Sequence, residues 1–149
     1  MIRNSIEIVG FDNAKHRDPV LALWKAVFGY EAAHNRPEFV IDQKLAVDDG
    51  LFFVAIQRER VIGTAMAGYD GHRGWIYSMA VDPQQRQKGI GSALLACAER
   101  RLSSLGCAKV NLQILHDNHA VQRFYQANGY TTENRISMGK QLDENIPYY

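Results

Sequence analysis

W-I-Y-S-M-A-V-D-P-Q-Q-R-Q-K-G-I-G-S, residues 75–92, sets the frame of the chain. Residues 75–81 are apolar on both faces, the pattern of a central strand covered on each side. Asp82-Pro83 ends that run. Residues 91–105 follow as a helix, with Leu94, Cys97, Ala98, Leu102 and Leu105 on one face and Gly106 as its cap. A glycine-rich loop that runs from a strand into a helix N-terminus is an anion site. Glycine lets backbone N–H groups turn toward a ligand, and the helix dipole favours negative charge. Arg86 and Lys88 add two cations, so a phosphate or pyrophosphate is the expected guest. The Walker pattern needs a lysine after its last glycine, and the dinucleotide fingerprint needs a third glycine in a βαβ unit. Neither is present.

Upstream, residues 5–10 alternate as a first strand. Asp18-Pro19 predicts a helix start. Leu21, Trp24 and Phe28 follow at helical spacing, and Gly29 stops the helix. Trp24 and Phe28 read as core. Pro37 opens a second helix with Phe39, Val40 and Leu45 on its apolar side, ended by Asp49-Gly50. Residues 51–57 and 61–69 are strands joined by the charged turn Arg58-Glu59-Arg60, and Asp70-Gly71 is a hairpin turn. Downstream, residues 109–115 alternate, with Val110, Leu112 and Ile114 on one side. Asn118 caps a short helix through Asn128, and Gly129 closes it. Residues 130–133 and 136–142 read as two final strands. The order is β-α-α-β-β-β-α-β-α-β-β. Three adjacent strands in the middle argue against a strictly alternating doubly wound fold, so a mixed α/β sheet with helices on both faces is expected.

At 149 residues the chain has the length of one domain, over residues 1–149. Hydrophobic residues make up 46% and charged residues 22%, which argues against a disordered or membrane protein. The longest apolar runs, residues 51–56 and 93–98, fall far short of the ~18 residues of a membrane span. Residues 1–5 lead into polar sequence, so no signal-peptide core is expected. Seventeen basic residues against sixteen acidic give +1, which does not suggest a nucleic-acid partner. Cys97 and Cys107 read as two buried thiols in a reducing cytoplasm.

A second segment joins the first. Arg86-x-x-Gly89-x-Gly91 together with Asn118, Ala120, Phe124-Tyr125 and Gly129-Tyr130 resembles the GNAT family of acetyl-CoA-dependent N-acetyltransferases. The resemblance covers about residues 5–142. Residues 68–74, with Val81-Asp82-Pro83 and residues 137–142, resemble the YpeA-like bacterial members.

The resemblance implies a GNAT fold, a central mixed sheet whose middle strands, 75–81 and 109–115, splay apart. The pantetheine arm of acetyl-CoA would lie in the gap like an added strand. Backbone groups of Met79 and Val81 would hold it, with the Met79 N–H at a strand bulge polarising the thioester oxygen. Backbone amides of Arg86, Gln87, Lys88, Gly89, Ile90, Gly91 and Ser92 would hold the pyrophosphate. Asn118 would contact the pantetheine or adenine side, and Tyr125 would stand near the sulfur as general acid. No metal site is implied. The amine would attack directly in a ternary complex, with the acceptor near residues 28–36 and 134–137. Tyr30, Glu31, His34 and Arg36 are lining candidates there, and Glu31, His34, His116 or a water relay are candidate bases. Gln113 stands where some relatives carry a glutamate.

The expected function is therefore acetyl transfer from acetyl-CoA to a primary amine on a small molecule or peptide. The alternatives are a ribosomal-protein-type N-terminal acetyltransferase, a non-catalytic acyl-CoA sensor, and a nucleotide-binding module that prefers ATP or NAD. A homodimer is a further possibility, since dimers are common in the family.

Overall fold

The computed structural model describes residues 5–29 and 36–146. Five strands form one sheet in the order β1 (Glu7–Gly10), β2 (Phe52–Gln57), β3 (Arg60–Tyr69), β4 (Gly74–Val81), β5 (Val110–Asn111). The first four are antiparallel to their neighbours, and β5 is parallel to β4, so the sheet is mixed. Helices α1 (Asn13–Phe28) and α2 (Pro37–Val47) cover one face, and α3 (Ile90–Ser104) with α4 (His119–Ala127) covers the other. Two cores result. Leu94, Ala98 and Leu102 of α3 pack on Phe53, Ala65 and Ile76, while Val20, Trp24 and Ile41 pack on Val54, Met66 and Ala80 on the other face. The alternation of β2 and β3 supplies both sets, because successive side chains point to opposite faces.

The structure moves several expected boundaries. Helix α1 begins six residues before Pro19, because the Asp12 carboxylate takes the cap and accepts from the Ala14 and Lys15 N–H groups at 3.0 and 3.2 Å. Pro19 lies inside the helix on its exposed side. Trp24 is core, but Phe28 is exposed. On α2 the buried residues are Val40, Ile41 and Lys44, and Leu45 is exposed. The Lys44 ammonium is satisfied in three directions: it donates to the Asp49 carboxylate and the Tyr77 hydroxyl, both at 2.9 Å, and to the Ala67 carbonyl. Such full pairing is what permits a buried lysine.

The 70–73 turn is a hairpin closed by its own first residue. Asp70 Oδ1 accepts from the Arg73 and His72 N–H groups, and Oδ2 accepts from the Trp75 indole. These donors, Arg73 foremost, hold the Asp70 carboxyl below the usual carboxylate range. Cys97 and Cys107 are free and half-buried. Among the described residues no helix is long and apolar enough to cross a membrane.

The C-terminal quarter departs most from expectation. The strand expected over 109–115 keeps a ladder at two residues only, and residues 130–142 form no strand. Alternation is not enough for a strand; a neighbour must complete the ladder and cover a face. Here side chains hold the segment instead. Lys109 and Asn111 both donate to the Glu133 carboxylate, and the Gln113 amide donates to the Ser137 hydroxyl. Ile136, Met138 and Leu142 remain about nine-tenths exposed.

Candidate active site

Strands β4 and β5 pair at Gly74↔Val110 and Trp75↔Asn111 and then part. Past that point β4 continues to Val81 paired with β3 but no longer with β5, so the sheet opens as a wedge toward the loop after β4. The expected splay is present.

A bulge sits inside this wedge. Register runs Thr64↔Ala80 and then Met66↔Tyr77, so Ser78 and Met79 of β4 face the single Ala65 of β3. Ser78 takes a φ of 51°, a conformation rare for a side-chain-bearing residue. A buried chain fixes it: the Trp24 indole donates to Thr64 Oγ1 at 2.8 Å, and Thr64 donates to the Ser78 carbonyl at 2.9 Å. A bulge removes backbone groups from the ladder and re-aims them. Met79 and Val81 are half-buried on the α3 side.

The loop after β4 is built to present amides. Asp82 accepts from the Gln84 N–H at 2.9 Å and starts a 3₁₀ turn, Pro83–Gln85. Gln87 and Gly89 then take φ of 64° and 79°. Helix α3 starts on Gly89 with no side-chain cap and no acidic residue in its first turn. Its first N–H groups therefore lack an internal acceptor, which is the condition for anion binding. The two glycines do different things. A Cβ at Gly89 would meet open space, so this position needs its backbone conformation. A Cβ at Gly91 would lie 3.1 Å from the Phe124 ring, so this position needs the missing side chain to let α4 sit against α3.

Tyr125, next to Phe124 on α4, is buried in the core on the α3 side of the sheet. Its ring packs edge-on against Phe124 and Tyr130 at centroid distances of 4.9 and 5.5 Å. Burial pushes its phenol up to about 12. Tyr130 is raised further by burial and by donating to the Glu99 carboxylate at 2.8 Å.

Not all expected residues converge. Arg86, Gln87 and Lys88 are exposed on the loop, and the Lys88 ammonium donates to the Gln85 side chain at 3.1 Å. Asn118 is exposed, and its side chain caps α4 by accepting from the Val121 N–H at 3.3 Å. His116 is exposed, and its carbonyl accepts from the Gln122 amide. Tyr30, Glu31, His34 and the tail 147–149 lie outside the described residues. Sequence reasoning missed Asn111. Its Oδ1 is the buried side-chain acceptor without a partner among the described residues, at the point where β4 and β5 part. The alternation of 109–115 was the signal, since Val110, Leu112 and Ile114 face the α3 core and leave Asn111 on the opposite face.

The sequence model of the acetyltransferase (GNAT) family matches residues 17–130. An acetyltransferase of Pectobacterium atrosepticum is 41% identical over 114 residues, covering 76% of this chain and 81% of that protein. Two solved structures share the fold. The aminoglycoside N-acetyltransferase AAC(6')-Iy in complex with CoA has a TM-score of 0.75 at 19% identity, covering 93% of this chain and 96% of that one. Glucosamine-6-phosphate N-acetyltransferase from Arabidopsis thaliana has a TM-score of 0.68 at 18% identity, covering 93% and 99%.

Proposed function

The chain belongs to the acetyltransferase (GNAT) family, and we propose that it transfers an acetyl group from acetyl-CoA to a primary amine on a small molecule or peptide. The carrying observation is the wedge between β4 and β5 opening onto an uncapped α3 N-terminus. An arm that pairs with strand edges and ends in a pyrophosphate matches both ends of that wedge.

Acetyl-CoA supplies an activated thioester; the chain's own groups bind and polarise it, and the proton that the attacking amine loses passes to a water relay. Backbone of Met79 and Val81 lines the arm. The Met79 N–H at the bulge donates to the oxygen that gains charge as the amine attacks in the ternary complex, a preorganised donor of the oxyanion-hole kind. Amides of residues 86–92 and the Arg86 guanidinium hold the pyrophosphate, and Asn118 flanks the opening from the start of α4. Tyr125 donates a hydrogen bond to the departing sulfur. With its phenol near 12 and a thiol near 8.5, full proton transfer is uphill by roughly 5 kcal/mol, so the phenol keeps its proton while the sulfur leaves. The unpartnered Asn111 oxygen offers an acceptor for the incoming amine's N–H.

The two N-acetyltransferase neighbours named above support an amine as acceptor. The N-terminal acetyltransferase reading has less support, because Gln113 carries no carboxylate and its amide is engaged by Ser137. Residues 68–74, Val81-Asp82-Pro83 and residues 137–142 support a place among the YpeA-like members. The half-buried free thiols suit the cytoplasm. Residues 1–149 form one domain in this reading, and exposed Ile136, Met138 and Leu142 support a homodimer that covers them, testable by sedimentation.

A thermal-shift series with acetyl-CoA, CoA, ATP and NAD tests the assignment. At 100 times Kd a specific ligand adds about 2.7 kcal/mol, and this chain gains roughly 5–11 °C. A gain with both CoA species only, followed by thiol release with an amine panel, is the expected result. No gain with CoA, or a larger one with ATP or NAD, overturns it.

A further inference from the structure

The Tyr125 hydroxyl makes no hydrogen bond among the described residues, and burial alone shifts its phenol. No bond of its own therefore sets the direction in which the phenol points. The backbone of this residue is tied down, because the Asn128 and Tyr130 N–H groups both donate to the Tyr125 carbonyl at 3.0 Å. Those bonds leave the side-chain torsions open. Two neighbouring rings close them. Phe124 meets the Tyr125 ring at 71° and Tyr130 meets it at 74°. Edge-on pairs are a favoured aromatic arrangement, so each contact selects an orientation as well as a distance.

Both rings are fixed in turn from α3. Phe124 lies against Gly91, in the first turn of that helix, where a Cβ would crowd its ring. Tyr130 donates its phenol proton to the Glu99 carboxylate at 2.8 Å. Glu99 stands about two turns further along α3, so Tyr125 is braced from two points on one helix. Burial foremost, and then the carboxylate, raise the Tyr130 phenol, so Tyr130 stays the donor in this pair. A hydrogen bond to an ionised acceptor is roughly twice as strong as one between neutral groups, which suits it to holding a ring in place.

We propose that Glu99 and Tyr130 are positioning residues for acetyl transfer: the Glu99 carboxylate fixes the Tyr130 ring, and that ring aims the Tyr125 phenol. This rests on the reading of Tyr125 as hydrogen-bond donor to the departing sulfur. Aim matters there, because a misplacement of about 1 Å in a reacting geometry costs on the order of 100-fold in rate.

The test uses three variants. Tyr130→Phe keeps the ring and removes the bond, Glu99→Ala removes the acceptor, and Glu99→Gln keeps an amide oxygen that still accepts. Each is assayed below its own melting transition. Tyr130→Phe and Glu99→Ala lose about tenfold in kcat while the acetyl-CoA Kd and the amine KM hold, and Glu99→Gln keeps most of the rate. In a Tyr125→Phe background the same substitutions cost nothing further, since no phenol is left to aim. A packing role alone would leave kcat unchanged or lower it equally in both backgrounds. The Tyr125 ring resonances read the same aim without turnover: the ring flips faster in Tyr130→Phe and Glu99→Ala than in wild type or Glu99→Gln. An unchanged kcat in Tyr130→Phe, an equal loss with and without the Tyr125 hydroxyl, or an unchanged ring signal overturns the proposal. If Tyr125→Phe itself keeps the wild-type rate, the donor reading fails first and takes this one with it. If Tyr125→Phe loses rate and Tyr130→Phe keeps it, only the positioning role fails.

Discussion

Thr64 of β3 donates its hydroxyl proton to the Ser78 carbonyl at 2.9 Å, and this bond ties β3 to the bulge of β4 beside the proposed reaction centre. Thr64 is fully buried, and its oxygen also accepts from the Trp24 indole at 2.8 Å. One hydroxyl thus fixes both the seat of α1 on the sheet and the carbonyl of a residue at φ 51°.

Thr64→Val keeps the shape and removes both bonds. It leaves the Trp24 N–H buried without an acceptor, which costs about 1–3 kcal/mol and lowers Tm by roughly 2–12 °C. Because the Met79 N–H follows directly on Ser78, kcat falls by about tenfold while acetyl-CoA affinity is nearly kept. Urea melts and steady-state kinetics check both parts. A destabilised variant with wild-type kcat would separate the bulge from catalysis.

Tyr125→Phe reads the phenol twice. If Tyr125 donates a hydrogen bond to the leaving sulfur, kcat drops by about 10–100-fold with acetyl-CoA affinity unchanged; a non-catalytic sensor has no rate to lose. Burial raises the phenol from 10 to about 12 in the folded chain, so the unfolded chain loses its proton first. That contribution to stability is intact below pH 10 and is lost as pH rises toward 12, about 2.7 kcal/mol in all. Denaturant midpoints between pH 9 and 12 should fall less steeply in Tyr125→Phe than in wild type.

The glycines of the loop separate conformation from packing. Gly91→Ala drives a Cβ to 3.1 Å from the Phe124 ring, and overpacking of this kind costs about 1–3 kcal/mol. Gly89→Ala meets no atom but must hold φ 79°, at about 1–2 kcal/mol. Both melt lower. A compensating Phe124→Leu restores Gly91→Ala toward wild-type stability and does nothing for Gly89→Ala, which melting of the double variants measures.

The sequence made legible what periodicity and local capping determine. The central strands, the apolar face of α3, and α4 with its Asn118 cap need only local patterns. Asp18-Pro19 reads as the start of α1, whereas the structure gives the cap to Asp12, six residues earlier. Lys44 shares a helix face with Val40 and Ile41, but its fitness for burial depends on Asp49, Ala67 and Tyr77, which only the tertiary fold assembles. The Trp24–Thr64–Ser78 chain joins three elements and leaves no pattern in any of them. Residues 136–142 alternate like a strand, yet no neighbour within the described residues completes a ladder.

Asn111 tests the acceptor side of the wedge. Its Nδ2 donates to Glu133, whose carboxyl is held below the usual range by Lys109 foremost and then by Asn111 itself. That bond fixes which way the carboxamide faces and leaves Oδ1 buried with no donor among the described residues. A buried acceptor without a donor costs about 1–3 kcal/mol, which a ligand N–H recovers on binding. Asn111→Leu removes the acceptor at similar volume. The amine KM should therefore rise about tenfold, while the Kd for CoA, set at the far end of the wedge, stays put. A matched rise in both constants would mean that the substitution has disturbed the strands themselves, and an unchanged amine KM would move the acceptor site away from Asn111.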